Sequence, residues 1–153
     1  MSTKIKATPT DEEILAAAEA IHERRLKRLG AISEPSVAGS YLRAHCGHLE
    51  REVFGCLYLD TRHRILSCED LFFGTIDGAE VHPREVVRRG LLLNAAAVVA
   101  FHNHPSGNLE PSAADRAVTA QIKQALALVD IRLLDHLVVS AEGFTSLAAR
   151  GWV

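Results

Sequence analysis

AAAVVAFHNHPSGNLEPSAAD, residues 95–115, is the stretch on which the fold turns. Ala95 to Phe101 is a short, continuous apolar run, and Pro105 and Gly107 lie just beyond it, so it reads as a buried central strand. The strand delivers His102 and His104 at its C-terminal end. Residues i and i+2 of an extended segment point the same way, so the two imidazoles can converge on one ion. Asn103 to Pro111 forms a loop, and Ser112 can cap the helix that follows, with Val118, Ile122, Ala125, Leu126 and Val129 as its apolar stripe. Asp115 falls in the first turn, where the positive end of the helix dipole favours a carboxylate. Two imidazoles and one carboxylate are the ligand number of a catalytic zinc site, which leaves its fourth position to water. His-x-His alone is a weak signal, and Ser112-x-x-Asp115 is also a capping-box pattern that needs no metal. The metal reading comes from their conjunction at the carboxyl end of a strand, where ligand sites of open α/β sheets gather.

Working outward, Thr10 to Glu13 has capping-box form, and Ile14, Leu15, Ala18, Ile21, Leu26 and Leu29 recur at helical spacing up to a stop at Gly30. Arg24, Arg25, Lys27 and Arg28 complement the dipole at that helix end and read as a solvated face. A second helix starts near Ser36 and ends by Gly47. Val53 to Leu59 reads as a buried strand, Asp60 to His63 as a turn, and Arg64 to Thr75 as a returning strand. Pro83 suits the first position of a helix running to Asn94. After the Ser112 helix, Ile131–Leu134 and Leu137–Ser140 read as one interrupted strand, and Phe144 to Leu147 as the last. Asp135 and His136, flanked by apolar residues, read as a satisfied core pair, the alternative being support for a ligand histidine. His22, His45, His48, His63 and His82 are scattered and read as surface. The order α-α-β-β-α-β-α-β-β is that of a mixed α/β domain, a mixed sheet flanked by helices.

The chain has 153 residues, 48% of them hydrophobic and 24% charged, with a net charge of -2, which fits one globular domain. That charge supplies no basic field for non-specific DNA binding. No apolar run has the length of a membrane span, and Met1-Ser2-Thr3-Lys4 begins no signal peptide, so neither a membrane partner nor export is expected. Cys46, Cys56 and Cys68 are odd in number and lack CxxC spacing, and they read as buried thiols in a reducing cytoplasm.

His102-x-His104-Pro105 followed by Ser112-x-x-Asp115 resembles the JAMM motif of MPN-type zinc metalloproteases. The run His102-Asn103-His104-Pro105-Ser106-Gly107, with Pro111-Ser112 and Asp115 behind it, is similar to the RadC family. So are Glu52-Val53-Phe54, Leu59-Asp60, Gly74-Thr75, Pro83-Arg84-Glu85, Asn94-Ala95-Ala96 and Asp135-His136. The resemblance covers roughly Glu50 to the C-terminus. It implies an MPN/JAB (cytidine-deaminase-like) domain over 50–153, preceded by a helical segment over 10–49 and a disordered tail over 1–9. Some fifty residues precede the domain without a Gly-rich hairpin suited to a phosphate backbone, so the chain resembles the short members that lack a helix-hairpin-helix region.

The resemblance also carries residue roles. His102, His104 and Asp115 match the ligands of one zinc ion per chain, Glu52 the catalytic glutamate and Ser112 the serine that stabilises the oxyanion. Spacing alone could not choose Glu52, since Glu50 would share its face in a strand. The implied reaction is hydrolysis of a peptide or isopeptide bond in a peptide or protein substrate. Zinc acidifies the attacking water, Glu52 carries its proton to the leaving amine, and zinc with Ser112 holds the oxyanion. Two other classes stand beside this one. The letters His-Asn-His and the family's association with DNA repair suggest a nuclease, against which the helix aspartate and the charge argue. A catalytically silent domain that binds a protein partner is the other, and the presence of every candidate site residue argues against it.

Overall fold

Every residue of β1 (Val53–Leu59) and β3 (Ala97–Asn103) is buried, as central strands covered on both faces must be. The computed structural model describes residues 7–29, 32, 35–74 and 79–153, so the expected tail over 1–9 lies largely outside the described residues. Two helices come first, α1 (Asp11–Leu29) and α2 (Pro35–Cys46). After β1 follow β2 (Ile65–Phe73), α3 (Pro83–Leu92), β3, α4 (Ala113–Ala127), β4 (Arg132–Ser140), β5 (Gly143–Ser146) and a 3-10 turn at Ala148–Arg150. The sheet order is β2-β1-β3-β4-β5. β3 and β4 are parallel, joined by α4, and the other neighbouring pairs are antiparallel. This is the mixed α/β sheet flanked by helices that the sequence pattern predicts. Among the described residues, no helix is long and apolar enough to cross a membrane.

Strand parity sorts the core into two layers. Leu57, Leu59, Ala97, Val99 and Phe101 face Tyr41, Leu42 and Cys46 of α2. Phe54, Cys56, Tyr58, Val98 and Ala100 face Val86 of α3 and Ile122 and Leu126 of α4. His102 follows the even parity and so emerges on the α4 side, while Asn103 points to the other. Gly55 is required where β1 passes Phe101: a Cβ there would lie 2.5 Å from the Phe101 ring and 2.3 Å from the Glu69 carbonyl oxygen.

Two expectations change. β4 runs unbroken through Asp135 and His136, where the pattern suggested an interruption. The polar pair is tolerated because the Asp135 carboxylate accepts the amides of His136 (2.7 Å) and Ala148 (3.0 Å) and the Ser146 hydroxyl (2.6 Å). The register moves from Val98↔Leu133 to Val99↔Asp135, so Leu134 is a bulge residue. That bulge switches the phase of the strand: Leu133 before it and His136 after it both turn toward α4. The second change is His45, which is largely buried rather than on the surface. Its Nδ1 lies 2.7 Å from Glu19 Oε1 of α1 and its Nε2 2.7 Å from Asp70 Oδ1 of β2.

Candidate metal centre

β3 carries His102 to the end of the sheet and α4 begins opposite it. Thr10-style capping recurs there in full: the Ser112 hydroxyl oxygen accepts the Asp115 amide at 3.0 Å, and Asp115 Oδ2 accepts the Ser112 amide at 2.8 Å. The cap orients the Asp115 carboxylate without using it up. Oδ1 lies 3.2 Å from His102 Nε2, and Oδ2 lies 3.3 Å from His104 Nε2. The two Nε2 atoms are 2.8 Å apart. Among the described residues this is the one group of three His, Cys, Asp or Glu side chains whose donor atoms all lie within 4.8 Å of one another. His104 sits just past the strand end, where its amide donates to the Val139 carbonyl at 2.9 Å. Gly107, at φ +84°, makes the turn that follows, a conformation side chains resist.

The outer nitrogens of both imidazoles are committed. His104 Nδ1 lies 2.7 Å from the Asn108 carbonyl, which can only accept, so Nδ1 carries the hydrogen and a neutral ring presents the Nε2 lone pair to the cluster. His102 Nδ1 lies 2.7 Å from His136 Nε2, and the other nitrogen of His136 meets the Thr119 hydroxyl. Two imidazole nitrogens and a carboxylate facing one another at this range need a cation or a proton between them. The electrostatics register that need. The bond to Asp115 holds the His104 pKa above its ordinary value, burial notwithstanding. Burial would raise Asp115, but the bonds to His102 and His104 outweigh it and hold the carboxyl far below the usual range. Burial pushes His136 well below its ordinary value, so that ring is neutral. A donor set of two imidazole nitrogens and one carboxylate could hold a divalent transition metal.

Beside this cluster opens a cleft of about 670 Å³, lined by Glu50, Glu52, Ala79, His104, Ser112 and Asp115 and by the loop between Pro105 and Glu110. Both candidate glutamates reach it, and they differ in setting. Glu50 is exposed, whereas Glu52 is half-buried at the start of β1. Burial raises the Glu52 pKa, the neighbouring His102 and His104 oppose that rise, and Asp115 adds to it. Glu52 is therefore in electrostatic contact with the cluster. The Ser112 hydroxyl accepts from the helix backbone and keeps its own hydrogen for the cleft.

Four residues around the site have partners that spacing could not supply. Asn103, wholly buried, accepts the Val53 amide at 2.6 Å and donates to the Arg51 carbonyl at 3.0 Å. A polar side chain at a buried strand position must be bonded, but nothing in the spacing says to what. His136 and Thr119 back His102, so the Asp135-His136 pair is more than a satisfied core pair: Asp135 braces the strand and His136 touches the cluster. Phe54 stacks on the His102 ring (12° between planes) and closes the apolar side.

The family described as RadC-like JAB domain matches residues 32–152. Among curated relatives, a UPF0758 protein of Xanthomonas campestris pv. campestris (strain 8004) is 61% identical over 128 residues, 84% of this chain and 57% of the relative. One from Xanthomonas oryzae pv. oryzae (strain PXO99A) is 54% identical over 144 residues, 92% of this chain and 64% of the relative. One from Stutzerimonas stutzeri (strain A1501) is 53% identical over 129 residues, 84% of this chain and 58% of the relative. The chain thus spans less than two thirds of the length of these relatives.

Proposed function

We propose, given that this chain belongs to the RadC-like JAB domain family, that it is a zinc-dependent hydrolase of the JAMM type, cleaving a peptide or isopeptide bond. His102, His104 and Asp115 are the metal ligands in this reading, one ion per chain. The observation that carries it is a cluster of three converging donor groups, two of which, His104 and Asp115, line the same cleft as the half-buried Glu52. Zinc held by such a set supplies Lewis acidity, acidifying a water toward a pKa of about 7 and polarising a carbonyl.

The remaining chemistry belongs to side chains. Glu52 takes a proton from water as the oxygen adds to the scissile carbonyl carbon. It returns that proton to the nitrogen as the C–N bond breaks, so the products are a carboxylic acid and an amine. Burial raises its pKa, which makes it a better proton acceptor than an exposed glutamate. The Ser112 hydroxyl donates to the oxygen that gains charge, a contribution on the order of 3 kcal/mol for a well-placed donor. His104 and Asp115 line the cleft that the substrate enters. The substrate is a peptide or protein that enters the cleft between the 105–110 loop and the Glu50–Glu52 segment. Three free cysteines support a reducing, cytoplasmic setting.

The test is a panel of quenched-fluorescence peptides and isopeptide-linked substrates offered to the zinc-loaded protein. Cleavage by the wild type, with at least about 100-fold loss in Glu52→Gln at unchanged zinc content, is the expected result. Cleavage of nothing in the panel, or equal loss from Glu50→Gln alone, would overturn the hydrolase reading or the choice of carboxylate respectively. DNA nicking by the wild type that His104→Ala abolishes would reassign the site to a nuclease.

A further inference from the structure

We propose that Thr119 and His136 are positioning residues of the metal centre, holding His102 in the tautomer whose Nε2 lone pair faces the cluster. This rests on the metal-binding reading above. The direction of the hydrogen bonds starts at a group that cannot donate. Thr119 Oγ1 lies 2.6 Å from the backbone carbonyl oxygen of Asp115, one helical turn earlier, so the single hydroxyl hydrogen is committed there. Toward His136 the same oxygen can then only accept, which requires the hydrogen of His136 on Nδ1. His136 is wholly buried with no carboxylate at either nitrogen, so the ring is neutral and Nε2 is bare. That bare nitrogen accepts from His102 Nδ1–H at 2.7 Å. A neutral His102 with its hydrogen on Nδ1 has its remaining lone pair on Nε2, aimed at His104 and Asp115.

The chain therefore begins at the backbone of one ligand, Asp115, and ends on the ring of another, His102. Each link comes from a different element: α4 supplies Thr119, β4 supplies His136 through the Leu134 bulge, and β3 supplies His102. The relay ties the two ligands in mutual register before any ion arrives. Metal-ligating histidines are commonly oriented by a carboxylate or a carbonyl. An imidazole in that place does the same without bringing a second negative charge into a fully buried position.

Zinc affinity, measured by competition with a chromophoric chelator, separates the possibilities for wild type, Thr119→Val, Thr119→Ser and His136→Phe. Thr119→Val and His136→Phe should bind zinc about 10- to 100-fold more weakly, and Thr119→Ser, which keeps the hydroxyl, should stay near wild type. Ring-nitrogen NMR of the zinc-loaded wild type should place the hydrogen of both His102 and His136 on Nδ1, a readout that survives even if a variant fails to fold. Wild-type affinity in Thr119→Val, or a hydrogen on His136 Nε2 in the zinc-loaded protein, would overturn the positioning role and leave metal binding intact. A wild type that binds no zinc would overturn both.

Discussion

Asn103 holds Glu52 by its backbone: one buried side-chain amide accepts the peptide N–H that follows the glutamate and donates to the peptide carbonyl that precedes it. The residue between the two histidines thus fixes where the carboxylate stands relative to them. Asn103→Ala leaves the Val53 amide buried and unpaired, which costs about 1–3 kcal/mol of stability in a urea titration. Zinc content should be unchanged, because His102 and His104 keep their own partners. Any hydrolysis should fall about 100-fold, since a displacement near 1 Å of a catalytic group is enough for that. A variant as stable and as active as wild type would show that Glu52 is held by something else.

The Glu19–His45–Asp70 bridge makes stability depend on pH in a definite direction. Burial alone would lower the His45 pKa, but the bonds to Asp70 and Cys68 outweigh it and bring it to about 11, above the ordinary 6.5. A pKa raised on folding stabilises the folded state fully below the unfolded value and ceases to do so as pH climbs through the folded one. The stability gap between wild type and His45→Gln should therefore be widest near pH 6 and close as pH approaches 11. Paired unfolding curves across that range read it. A gap that widens with pH would contradict the assignment.

The 3-10 turn reaches back to the cleft loop. Arg150 donates to both oxygens of Glu110 (2.6 and 2.9 Å), and the guanidinium groups of Arg150 and Arg116 lie 5.2 and 4.7 Å from the centre of the Trp152 ring. Exposed pairs contribute little to global stability, so Arg150→Ala should leave the unfolding midpoint close to wild type. Its effect should be local: faster amide hydrogen exchange at Asn108 and Glu110 and a shifted emission of Trp152, the chain's single tryptophan. Unchanged exchange in the loop would mean that Pro105 and Pro111 rigidify it unaided.

Much of this was legible in the chain because it is local. An apolar run ending in two histidines is a strand with its parity written in it, and Ser112-x-x-Asp115 marks a helix start whatever else the aspartate does. The supporting groups were not legible because each is made by distant elements. Asn103 meets residues some fifty positions earlier, and His136 meets His102 only because a bulge at Leu134 re-phases β4. Periodicity sees a polar pair in a strand as a break, and tertiary hydrogen bonds to Ser146 and Ala148 turn it into a continuous one. The same holds for His45, whose carboxylate partners lie on α1 and β2. Glu50 and Glu52 were inseparable by spacing, and only their unequal burial distinguishes them.

The most direct measurement is the metal content of protein purified under zinc-replete conditions, read by elemental mass spectrometry for wild type and for His104→Ala. The convergence of His102, His104 and Asp115 predicts about one zinc per wild-type chain, which resists brief dialysis, and nearly none in the variant. A wild type without zinc, or a His104→Ala protein that retains a full equivalent, would contradict the metal centre.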